Sequence, residues 1–273
     1  VKRMLSRGYM ALIFLFLYAP IVVLMVFSFN DSKSRTVWAG FTGKWYIELF
    51  SDKLIISSLY TTLAVAFLAA VFATLLGTAA AIGFYNMKKL PKRVLLTVNN
   101  IPVMNPDIIT GVSLMILFIF FGSVYTALSG EKFQLNFFTL LLAHITFNVP
   151  YVILSVLPKL RQLDQNLYEA ALDLGARSFY AFRKVILPEI FPGIVTGFIM
   201  AFTLSIDDFA VSYFTAGTKS STLAMTIYAM TKRRVSPEIN ALSTILFLSV
   251  LILLVVVNIR QSRDLKKNTQ TDY

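Results

Sequence analysis

Two adjacent carboxylates, Asp207 and Asp208, stand in an apolar stretch, IMAFTLSIDDFAVSYF. An ionisable side chain in such surroundings is costly, and a carboxylate there can draw a cation or pass a proton. Ser205, Asp208, Ser212 and Thr215 recur at steps of three and four, which places them on one face if the stretch is a single helix. Asp207 shares its face with Thr203, Val211 and Phe214, a less polar setting. Asp208 is therefore expected to point inward and attract a cation, with Asp207 secondary. His144, the only histidine, lies in AHITFNVP and reads as a packed, hydrogen-bonded side chain ahead of a proton relay. Asp107 follows Asn105 and Pro106, a cap, a first-turn proline and a first-turn acid, so a fresh helix is expected to begin there. With no cysteine, disulfides and thiolate chemistry are excluded, and no residue set for covalent or metal catalysis is present. The 24 Phe and 12 Tyr could supply cation–π contacts, although rings facing lipid and its interface are the default.

A second concentration of charge lies in YEAALDLGARSFYAFRKVILP, residues 168–188, which holds Glu169, Asp173, Arg177, Arg183 and Lys184. Asp164 can cap a short helix in which Leu167, Ala170, Ala171 and Leu174 share a face. Gly175 is a natural stop, because glycine enters the left-handed conformation without steric cost. Ser178 is expected to cap a second helix with Phe179, Phe182 and Ile186 on one side, and Pro188 to open the next long apolar element. Small Ala170 and Ala171 would let another surface approach closely. On pattern alone an amphipathic interfacial linker is an equal reading.

The elements that carry these residues are membrane helices. The chain is 57% hydrophobic and only 14% charged, against roughly a quarter charged in soluble domains. Its apolar runs repeatedly approach or exceed the ~20 residues that cross a bilayer. An all-α integral membrane protein with six spans is expected: Tyr9–Phe29, Ser57–Tyr85, Val94–Phe121 with a break near Pro102 and Pro106, Asn136–Leu157, Ile190–Ala216 and Ile239–Ile259. The first run follows VKRMLSR and is too long for a signal peptide, so it reads as an uncleaved helix. Val1 reads as a literally translated alternative start codon or a trimmed end. If the N-terminus is cytoplasmic, 16 of the 25 Lys and Arg residues fall on cytoplasmic segments, which favours both termini inside, although Lys232-Arg233-Arg234 falls outside. The net charge of +11 is then a matter of membrane orientation and gives no support for nucleic-acid binding.

Glu169-Ala170-Ala171, three residues, Gly175, nine residues and Val185-Ile186-Leu187-Pro188 resemble the EAA motif of ABC importer permeases, with Val185 where isoleucine is usual. NPDIITGVSL, LLAHITFNVPYVI, LSIDDFAVSYF and VSPEINALSTI extend the resemblance over nearly the whole chain, to the PotC-type permeases of spermidine/putrescine importers. The resemblance implies a type I ABC importer permease fold. It also implies an N-terminal helix and external loop over 1–56, a permease domain over 57–259 with its coupling loop at 158–188, and a basic cytoplasmic tail over 260–273. Glu169, Ala170, Ala171 and Gly175 would dock into an ATPase subunit, while Ser205, Asp207, Asp208 and Ser212 would line the substrate pathway. The implied partners are a pair of ATPases, a second, PotB-type permease, an extracytoplasmic polyamine-binding protein and the lipid bilayer of the cell membrane. No cofactor is expected, since ATP would be bound by the partner. Consistent with that division, G-x-x-x-x-G-K-[ST] is absent, and Gly40-Phe41-Thr42-Gly43-Lys44 is too short to replace it. Two alternatives remain: a permease for another small solute, and an ion-coupled secondary transporter using Asp208 and His144, although no internal repeat of the kind such folds carry is evident.

Overall fold

The computed structural model describes residues 2–32, 37–233, 237–248 and 251–252. Among these the structure is helical, with one isolated bridge between Asn30 and Phe41. Five helices are long and apolar enough to cross a membrane: Arg7–Phe27, Lys53–Asn86, Asp107–Ser129, Phe137–Gln162 and Ser178–Asp207. A sixth apolar helix, Pro237–Leu248, is shorter, and the remainder of the expected last span continues past it, mostly outside the described residues. The chain divides into two compact units, Val1–Ile56 with Ile227–Tyr273, and Ser57–Thr226.

In the first unit, α1 (Lys2–Phe27) is apolar around most of its circumference and exposes Leu12, Phe16 and Val23, as a lipid-facing helix does. A small polar knot closes its end. Asn30 donates to the Val37 carbonyl at 2.8 Å and accepts from Ala39 N–H at 2.9 Å, while Trp45 Nε1 donates to the Asn30 carbonyl at 2.7 Å. Trp45 opens the buried side of α2 (Lys44–Ser51), and Lys44 pairs with Asp31.

The second unit is built on α3 (Lys53–Asn86, whose first residues belong to the other unit) and α6 (Phe137–Gln162). Their buried residues pair in parallel: Val65 clusters with Leu140, and Gly77 lies against Val149 and Val152. Small residues make this possible, since Ala66, Ala69, Ala70 and Ala73 are fully buried. Between these helices in sequence come α4 (Lys89–Met104), which buries no residue, and α5 (Asp107–Ser129). The expected third span, Val94–Phe121, is thus corrected to α5. Asn105 is extended (ψ 144°), as a residue before proline must be, and its amide closes α4 instead of its side chain capping α5. Asp107 is nevertheless the first-turn acid of α5.

Asn136 and Thr139 form a reciprocal capping box at the start of α6. α7 (Gln165–Asp173) follows, and then one continuous helical stretch, Ser178–Asp207: α8 (Ser178–Ala181), a π-helical turn over Phe182–Ile186, and α9 (Leu187–Asp207). The expectation that Pro188 starts a new helix is corrected here. Proline lacks the amide that an unbroken α-helix needs, and the π turn just before it accommodates the mismatch. α9 packs antiparallel on α6, with Gly193 against Ser155 and Lys159 and Gly197 against Val152.

Gly77 and Gly83 of α3 make a matched test of this packing. A Cβ at Gly77 would sit 2.7 Å from Val152 Cβ, whereas one at Gly83 meets nothing within 4 Å. Gly77→Ala should lower the melting temperature of the purified protein, at a cost of about 1–3 kcal/mol from overpacking. Gly83→Ala should leave it unchanged or raise it, by up to about 1 kcal/mol.

Candidate functional site

The charged segment at 164–188 folds largely by local rules. Asp164 caps α7 by accepting from Asn166 N–H at 3.0 Å. α7 ends in a complete Schellman motif: Gly175 (φ 85°) donates to Leu172 at 2.9 Å, and Ala176 donates to Ala171 at 3.1 Å. Glycine is needed there for its backbone and not for space, because a Cβ would meet nothing within 4 Å. Ser178 does not cap α8 as expected; it is already helical, and Arg177 takes the boundary position without a side-chain bond. Leu174 and Phe179 are 90% and 75% exposed. Glu169 and Ala170 are exposed too, and among the described residues nothing hydrogen-bonds or ion-pairs with the Glu169 carboxylate. Behind α7 lies a cavity of about 330 Å³, lined by Tyr85, Leu160, Asp164, Tyr168, Glu169 and Ile186 among others.

At the other end of α9 the helix stops. Asp207 is its last residue, Asp208 is extended (φ −69°, ψ 125°), and a short helix, α10 (Ala210–Thr215), follows. The single helical face expected for Ser205, Asp208, Ser212 and Thr215 is therefore corrected: two elements carry these residues. Ser205, Ser212 and Thr215 are nevertheless all buried, and the Asp208 side chain is 6% exposed.

The Asp208 carboxylate is spent within the unit. Its oxygens accept from Val211 N–H at 3.1 Å and Ser212 N–H at 2.7 Å, closing two amides that the start of α10 would leave bare. His144 of α6, wholly buried, brings Nε2 to 3.0 Å from Ser212 Oγ and 3.6 Å from Asp208 Oδ2. The Ser212 hydroxyl donates to the Asp208 carbonyl at 3.3 Å, so the imidazole hydrogen belongs on Nε2. One turn along α6, Asn148 donates to Ser205 Oγ at 2.7 Å. Periodicity gave no sign of Asn148; its place four residues from His144 was the one available clue. Asp207, in contrast, is exposed and has no partner among the described residues.

α5 completes this region. Gly111 lies against Ala210 and Val211, where a Cβ would be 3.1 Å from the Ala210 carbonyl. Leu114, Ala143, Phe147 and Val211 form the apolar seat beneath it. Asp107, one turn before Gly111, is thereby held at the level of the break and is exposed. Among the described residues no group of three or more acidic or histidine side chains could hold a metal ion.

Apolar helices closely packed through small residues, an exposed charged helix pair and carboxylates at a helix break mark a multi-span membrane protein. The chain belongs to the family of binding-protein-dependent transport system inner membrane components, whose sequence profile matches residues 73–263. It is 38% identical over 269 residues, 98% of each chain, to the spermidine/putrescine transport system permease protein PotC of Escherichia coli K12. It is also 38% identical over 234 residues to that organism's putrescine transport system permease protein PotI, covering 85% of this chain and 82% of the relative. Among solved structures it is similar to a chain of a bacterial ABC transporter that imports the acidic polysaccharide alginate, with a TM-score of 0.67, 14% identity and coverage of 96% and 95%. That likeness concerns the fold, the type I importer permease. This is a multi-pass protein of the cytoplasmic membrane, whose family works with an ATPase and a substrate-binding protein.

Because Asp208 closes α10 and Asp207 closes nothing, the two neighbours should differ in stability when neutralised. Asp208→Asn exchanges one buried acceptor for a donor facing one of the two amides and should cost about 1–3 kcal/mol. Asp207→Asn should melt within a degree or two of the parent, a change of about 0.5 kcal/mol at most. Thermal unfolding of the two purified variants checks the contrast.

Proposed function

We propose that this chain is the permease subunit of an ATP-driven importer of polyamines, of the spermidine and putrescine class. The observation that carries the reading is an end-to-end likeness to permeases of that name, joined to carboxylates at a helix break. A polyamine is a flexible chain of ammonium groups, and carboxylates in an apolar pathway attract it. Asp207 supports this role better than Asp208, because its carboxylate is exposed and uncommitted while Asp208 is bound to amides. Asp107, exposed at the same level, is a second carboxylate for a second ammonium group. An exposed carboxylate in a membrane span faces water or another subunit in preference to lipid. Asp207 and Asp107 would then face a translocation pathway shared with a second, PotB-type permease.

Glu169, Ala170, Ala171 and Gly175 would form the docking element for the ATPase, on the cytoplasmic side with both termini. Exposed Leu174 and Phe179 offer it an apolar anchor, and the cavity behind α7 leaves room for the element to rock under load. The extracytoplasmic binding protein would deliver polyamine at the opposite face. The ion-coupled alternative needs Asp208 and His144 to exchange protons with water. The structure does bring them together, but both side chains are closed off from solvent within the unit.

The test is uptake of labelled spermidine by vesicles holding this chain, the second permease, the ATPase and the binding protein. Uptake should require ATP and survive collapse of ion gradients; uptake driven by a gradient without ATPase would overturn the reading. Asp207→Asn should reduce transport by about tenfold, the weight of one hydrogen bond to a charged group. Gly175→Ala forces a side chain into the left-handed region at about 1–2 kcal/mol. It should weaken ATPase association and transport together while leaving the preference between spermidine and putrescine unchanged.

A further inference from the structure

The buried cluster on α6 does more than fill space. His144 and Asn148 are both fully buried within a membrane-spanning helix, one turn apart on the same face. They hold opposite sides of one discontinuity. Asn148 fixes Ser205 in the last turn of α9, and His144 meets Ser212 in the first turn of α10 and Asp208 in the break before it. Only Ile206 and Asp207 lie between the residues fixed on the two sides. With Ser205 tied from below and Asp208 tied from above, the direction of the intervening Asp207 side chain has little freedom left.

The cluster is also a poor choice if stability were its sole purpose. Among the described residues, His144 Nδ1 and Asn148 Oδ1 are buried without a hydrogen-bond partner. A buried acceptor left so costs about 1–3 kcal/mol, and apolar residues of like volume would avoid that cost. Polar side chains retained under such a penalty fit a role in which geometry matters more than stability. The helix break itself needs no histidine, since the Asp208 carboxylate already closes the amides of α10. What α6 adds is the placement of that break against a rigid wall: Leu140, Ala143, Phe147 and Val152 around the cluster are packed in the core.

We propose that His144 and Asn148 are positioning residues for transport, fixing the α9–α10 break so that the backbone at Asp207 aims its side chain to one side. Its value for transport rests on the reading of Asp207 as the cargo-facing carboxylate, but the positioning itself does not. The chain has no cysteine, so Asp207→Cys places a single thiol in this subunit. In the assembled importer, the modification rate of that thiol by a membrane-impermeant cationic thiosulfonate reports its direction directly.

His144→Ala should change this rate by about fivefold, and His144→Gln, whose amide can still donate to Ser212, should restore most of it; a lost hydrogen bond between neutral groups is worth about 1 kcal/mol, or about fivefold. With Asp207 intact, His144→Ala should raise the KM for spermidine by about tenfold while kcat stays within about twofold, because a displaced carboxylate weakens capture and not ATP-driven turnover. Ser205→Ala, which removes only the hydroxyl held by Asn148, should move both readouts in the same sense and covers the case in which His144→Ala does not assemble. Labelling rates and KM within twofold of the parent in the assembled variants would overturn the proposal. So would a fall in kcat alone, which marks general loss of structure. If the labelling rate shifts but Asp207→Asn leaves uptake untouched, the positioning stands and the cargo role of Asp207 fails.

Discussion

A helix that ends inside a membrane leaves its own last carbonyls and the next helix's first amides without water to satisfy them. The architecture of Ser57–Thr226 answers that constraint at the α9–α10 break. Asp208 turns its carboxylate back onto Val211 and Ser212, so the chain can leave the helix at the one place where a neighbouring side chain is thereby turned outward. The rest of the unit accommodates the choice. Gly111 lets α5 come against the backbone of α10, Gly193 and Gly197 let α6 lie close along α9, and His144 with Asn148 occupy the seam.

The charged segment at 164–188 and the helix break are held by different kinds of force. The charged segment is made of short-range devices, an Asx cap at Asp164 and a Schellman turn at Gly175, and it leaves Leu174 and Phe179 uncovered. The break is the reverse: most polar side chains around it are buried and bonded, while the exposed carboxylate of Asp207 has no partner among the described residues. The fold does not dictate cargo. A similar fold occurs in a bacterial transporter involved in the import of the acidic polysaccharide alginate, so cargo must be argued from side chains and not from the helical frame.

Much of this was legible from residue order because hydrophobic length, capping and glycine conformation are local properties. The apolar runs, the Asp164 cap, the Gly175 stop and the first-turn Asp107 all follow from rules that act within a few residues. The errors were also local in origin. Ser178 and Asn105 have capping chemistry, but the first is absorbed into a helix that continues through a π turn and the second ends a helix instead of starting one. Pattern reasoning assumed that a helix begins wherever it can.

The sequence alone determined that this chain lives in a membrane, where most of its long apolar helices fall and that the EAA-like segment stands apart, since transfer of apolar side chains into lipid depends on composition and length. Which of two adjacent carboxylates is free was decided only by tertiary structure. Helical periodicity pointed Asp208 at the cargo because it assumed an unbroken helix. The break is closed by Asp208 on the amides of Val211 and Ser212, and it packs against His144 and Asn148, more than fifty residues away in sequence; no local pattern carries information about partners at that distance.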